Sequence, residues 1–136
     1  MKKIVVPGLV AGLVMLVVGV GLSILFEVLW PGLKKEYSNF LLFRAMKDPL
    51  MQYYFVHPFA VGLIIAWIWD KAKKSIPGKG NARAINFATA YWVVTIPGML
   101  MTYACFKVSL LMVLSWTVTI YFQALFAGLV FTKLNK

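Results

Sequence analysis

Between Ala84 and Thr132 the only charged residue is Lys107. One crossing of a ~30 Å hydrocarbon core uses about 20 residues, so this run is about twice the length of a single span and has to fold back on itself. A backbone in lipid must satisfy its own hydrogen bonds, and these apolar segments meet that condition as α-helices. The turn belongs at Phe106-Lys107-Val108-Ser109, where the lysine can snorkel to water and Ser109 can cap the helix that follows.

The rest of the chain repeats this pattern of apolar runs separated by short charged clusters. Its 62% hydrophobic content and mean hydropathy of +0.83 lie well above the roughly 45–50% apolar usage of soluble proteins. A first span runs from Ile4 to Trp30 and carries no charge before Glu27. It is about 27 residues or ~40 Å long, too long for a signal peptide, and no small-x-small cleavage site closes it, so it is expected to remain as a helix. Trp30 anchors it at the interface, and Pro31-Gly32 is expected to stop it.

Asp48-Pro49 reads as a cap followed by a proline at the first helical position, opening a second span from Leu50 to Trp69. Pro58 removes one amide donor there, which predicts a bend and frees the carbonyl of Tyr54. Ser75 to Gly80 is a loop rich in turn residues. Asn81 can cap a third span from Arg83 to Phe106, with a kink at Pro97-Gly98, and the fourth span ends near Phe131. The expected fold is an all-α membrane protein: one domain over residues 1–136, a four-transmembrane-helix bundle with a short interfacial helix between the first two spans. That interfacial helix is placed around Phe40 to Phe43, flanked by Lys34, Lys35, Glu36, Arg44 and Lys47 and capped by Ser38 or Asn39. An irregular loop dipping into the headgroups is the alternative.

The net charge of +10 is explained by the membrane rather than by nucleic acid, which is not expected as a partner. Nine Lys and Arg residues fall on the side holding both termini and the 70–83 loop, against five on the other. The positive-inside rule then places both termini in the cytoplasm of a multi-pass protein of the plasma (inner) membrane.

Two groups of residues concern packing. Gly8, Gly12, Gly19 and Ser23 fall within about 60° of one another on a helix, forming a groove that admits another helix, of this chain or of another subunit. Ser115, Thr119 and Gln123 recur every fourth residue as a polar stripe suited to interhelical hydrogen bonds or, alternatively, to a substrate or ion path.

Chemistry, if any, centres on Glu27, the one acidic residue inside a span, and on His57, which the topology places on the same side of the membrane. Tyr53, Tyr54 and Tyr103 extend this into a candidate polar cluster, and a His–carboxylate pair there would titrate near neutrality. A snorkelled Glu27 and a histidine bonded to backbone are the simpler readings. The single cysteine, Cys105, rules out an internal disulfide and a multi-cysteine metal site. No nucleophile elbow, phosphate-binding glycine loop or paired helix histidines occur, so neither catalysis, a metal nor a cofactor is expected.

The length and span number resemble those of small multidrug-resistance exporters, but that family carries its essential glutamate deep in the first span, and Glu27 stands at the end of its own. Three functions remain open. The first is an accessory or structural subunit, or self-associating scaffold, of a membrane assembly. The second is a small homo-oligomeric transporter or channel with Glu27 and His57 lining the path. The third is a lipid- or quinone-binding module. The expected partners are membrane lipid and either copies of the same chain or other membrane subunits.

Overall fold

The computed structural model describes residues 2–135, and all regular structure among them is helical. Four helices are long and apolar enough to cross a membrane: α1 (Lys2–Leu29), α3 (Gln52–Ala72, entered through a 3-10 turn at Pro49–Met51), α4 (Asn81–Cys105) and α5 (Leu110–Leu134). Between the first two of these lies a short helix, α2 (Pro31–Tyr37). α1 packs against both α3 and α5, and α4 packs against α5.

The close approach of α1 to α3 is set by glycine. A methyl group on Gly12 would come within 2.7 Å of the Phe59 Cα, and one on Gly62 would sit 2.7 Å from the Gly12 nitrogen. Backbone meets backbone there, because lipid tails give apolar helices no hydrophobic reason to associate and the attraction comes from tight packing. The glycine groove is therefore filled from within the chain. Gly19 faces α5 instead, leaving room for Gln123, whose Nε2 donates to the Met15 carbonyl at 2.9 Å.

The bundle is closed at the end that holds the termini and the 73–80 loop. Trp69, Phe87 and Phe131, one ring each from α3, α4 and α5, meet with centroids 5.2–6.1 Å apart over Ala11 and Met15 of α1. Asn135, just past α5, ties this end together. Its carbonyl accepts from the Trp69 indole at 2.9 Å, its side-chain oxygen from Lys73 at 2.6 Å, and its Nδ2 donates to the Lys3 carbonyl at 2.9 Å. The last bond answers a defect in α1. Pro7 has no amide hydrogen, so the carbonyl four residues earlier, that of Lys3, has no donor within its own helix.

Packing thins toward the other end. From Leu16 onward in α1, from Thr89 onward in α4 and before Pro58 in α3, no residue is fully buried. The buried residues of that half are Leu33 on α2 and Met112, Val113 and Ser115 in the first two turns of α5.

Several expectations are corrected. The short helix lies at Pro31–Tyr37 and not at Phe40–Phe43, which form turns. Pro31 ends nothing further: α1 has already stopped at Leu29, and the proline takes the first position of a new helix, where its missing N–H costs no bond. Ser38 closes that helix, its hydroxyl donating to the Lys34 carbonyl at 2.9 Å. Asn81 is the first residue of α4 rather than its cap; the cap position is Gly80, at φ 53°. Asp48 and Ser109 do cap as expected, accepting from Leu50 N at 2.9 Å and Met112 N at 3.1 Å. α3 and α4 run on through Pro58 and Pro97 without interruption.

Candidate functional site

The polar groups of the open end gather around Tyr37, at the last turn of α2. Its hydroxyl accepts from the Trp116 indole of α5 at 2.6 Å, and its ring packs against Phe43 and Trp116 with centroids 5.4 and 6.5 Å away. α2 is held in this position by a second latch. Glu36 Oε1 accepts from the backbone amide of Ser109 at 2.6 Å. In a capping box the N-cap serine serves the third amide of the helix and a glutamate at that third position serves the amide of the cap. Here the third position is Met112, and the glutamate arrives from α2 instead.

Two groups of α1 reach the same place. Ser23 Oγ lies 3.5 Å from Glu27 Oε1, a long contact, and both residues interact with the Tyr37 phenol. Burial pushes the Tyr37 hydroxyl above its ordinary range, against the opposing pull of its hydrogen bonds with Trp116 and Ser23; the charges of Tyr54 and Glu27 add to the rise. The arrangement places a half-buried phenol of α2 against the Trp116 indole of α5, on the side where Ser23 and Glu27 of α1 reach it.

Only part of the polar cluster expected from the sequence is assembled. Glu27 and Tyr54 border Tyr37. His57 is exposed on α3 and makes no hydrogen bond or ion pair among the described residues, so the structure does not bring it to Glu27. Tyr53 and Tyr103 are likewise exposed, on the first turn of α3 and the last of α4. Of the span-four stripe, Ser115 Oγ donates to Met112 O at 2.7 Å and Thr119 Oγ1 to Ser115 O at 2.8 Å, both within α5. Gln123 alone crosses to another helix.

Tyr37, Trp116 and Glu36 were not singled out in the sequence. Glu36 and Tyr37 act through partners more than 70 positions away, and such pairings leave no local spacing to read. Among the described residues no group of three or more His, Cys, Asp or Glu is gathered in a way that would hold a metal ion. Cys105 is exposed. No protein-family model, no curated protein and no solved structure matches the chain.

Proposed function

We propose that the chain is a structural or accessory subunit, or a self-associating scaffold, of a membrane assembly, with both termini on the cytoplasmic face of the plasma (inner) membrane. The observation that carries this reading is the uneven burial: one half of the bundle is knotted shut, and in the other half α3 and α4 present exposed flanks. Those flanks include His57 and Tyr53, polar groups on a helix whose other exposed residues are largely apolar. Polar side chains within a span tend to face protein, where hydrogen bonds and close packing hold helices together. The internal use of Ser115, Thr119 and Gln123 supports the same reading over transport, since the first two spend their hydroxyl hydrogens on the backbone of α5 and Gln123 holds α5 to α1. In this setting α2 is an interfacial element that fixes the outer ends of α1 and α5.

The test is the mass and composition of the particle extracted from native membranes in a lipid-preserving solubiliser, with a photo-reactive residue at position 53 or 57. A fixed-ratio complex or homo-oligomer cross-linked through that face supports the proposal. A bare monomer, with no cross-link from either position, overturns it. Substrate flux abolished by Glu27→Gln would favour the transporter reading instead.

A further inference from the structure

At the closed end, a cleft of about 250 Å³ opens between the last turn of α3, the last turn of α5 and the loop that leads into α4; Trp69, Lys79, Gly80, Arg83 and Thr132 line it. We propose that this cleft binds the phosphate of an anionic phospholipid whose tails remain in the bilayer beside the bundle.

Three observations support this assignment. The first is charge. Among the described residues neither Lys79 nor Arg83 is paired with a carboxylate, and the ion pairs present are Arg44–Asp48 and Lys73–Asp70. Arg83 spends its Nε on the Gly78 carbonyl at 3.0 Å, which fixes the guanidinium at the cleft while its terminal amino groups remain available. A planar guanidinium with free terminal donors suits a phosphate better than a point charge does. The second is depth. Trp69 lies three residues before the end of α3, Thr132 two before the end of α5, and Gly80 immediately before α4. All three lining elements thus meet the cleft at helix ends, which for helices that cross a membrane is the level of lipid phosphates. Trp67, 53% exposed on the same end of α3, fits an interfacial anchor at that level. The third is the surrounding field. Lys2, Lys3, Lys71, Lys74 and Lys133 share this end, where Asp70 is the only acidic residue and is engaged by Lys73. That field concentrates anions at the surface, and the cleft gives one of them a defined seat. The size excludes a whole lipid and accommodates a phosphate with its nearest substituents.

The full chain in mild detergent is titrated with phosphatidylglycerol, with phosphatidylcholine and with inorganic phosphate, and the thermal-unfolding midpoint is followed. Phosphatidylglycerol is expected to raise the midpoint, and the other two at equal concentration are not. Lys79→Gln should weaken the phosphatidylglycerol effect about fivefold and Lys79→Gln with Arg83→Gln about 30-fold, at the usual contribution of each surface cation. Lys34→Gln with Lys35→Gln, which removes the same charge from the opposite end, should leave it unchanged. Equal weakening by both pairs would reduce the effect to diffuse charge and overturn the site. Equal protection by inorganic phosphate would make it a site for a free anion and overturn the lipid assignment. Should the double variant fail to fold, Lys79→Gln decides alone, because that side chain is exposed and makes no hydrogen bond or ion pair among the described residues: an unchanged titration overturns the proposal.

Discussion

Single atoms decide the closest contacts of this bundle. Gly12→Ala would force a methyl group against the Phe59 backbone, which cannot swing aside as a side chain can. It is expected to lower stability by about 1–3 kcal/mol despite alanine's better helix propensity. Gly21→Ala, with nothing within 4 Å of the new methyl, should be neutral or mildly stabilising; thermal unfolding of both variants in one detergent checks the contrast. The bond from Asn135 to Lys3 allows a sharper test. Asn135→Ala is expected to cost about 1–3 kcal/mol by leaving a half-buried carbonyl unserved. In a Pro7→Ala background the restored amide can serve that carbonyl within α1, so the cost of Asn135→Ala should shrink, a coupling that a double-mutant cycle measures. At this scale the spacing of Gly8 and Gly12 was legible as a helix contact, because small residues four apart have one physical use. The partner of Gln123 and the role of Asn135 were not legible. The one available clue to Asn135 was Pro7, which orphans a carbonyl in any helix that contains it.

α2 acts as a clamp between the end of α1 and the start of α5, and its grip depends on Glu36 and Tyr37. Glu36→Ala should release the amide of Ser109 and cost about 1–2 kcal/mol, while Glu36→Gln, which keeps an acceptor, should cost less. Tyr37 adds a pH dependence. Its hydroxyl ionises at higher pH in the folded chain than in the unfolded one, so above the ordinary value of 10.0 the unfolded state loses protons that the folded state retains. Stability is therefore expected to be unaffected by this group below about pH 10 and to fall as pH rises beyond it, through the raised value. Unfolding midpoints measured from neutral to alkaline pH should show that fall in the wild type and a smaller one in Tyr37→Phe. The interfacial helix expected around Phe40 to Phe43 is absent there, and the short helix of this connector is Pro31–Tyr37 instead. Apolar Phe40 to Phe43 among cations reads as a surface helix, while the segment that folds, Pro31–Tyr37, is held by Glu36 and Tyr37 meeting the start of α5, information that no local pattern contains.

Over the whole molecule, four helices long and apolar enough to cross a membrane follow from charge and length alone, since both act through local composition. Their neighbours do not follow. Each helix is apolar on most of its circumference, so no stripe announces which face will meet which partner, and the order in which α3, α1, α5 and α4 pack emerges only from glycine contacts and a few polar bonds. The same uniformity hid the contrast between a closed and an open end. Orientation in the membrane can be tested without altering the chain, because its single cysteine, Cys105, is exposed at the end opposite the termini. With cytoplasmic termini, a membrane-impermeant maleimide applied to intact cells should label it; labelling that requires permeabilisation would reverse the topology.

The bond between Lys3 and Asn135 joins positions 132 apart in a chain that is synthesised in one direction. Of the four long helices α1 is made before the others, yet it is the last to be complete, since the donor its Pro7 demands does not exist until α5 has been translated and inserted. Until then the Lys3 carbonyl depends on water at the membrane surface. The order of synthesis and the order of completion therefore run in opposite directions, and a product lacking the end of α5 differs from the finished protein at both ends.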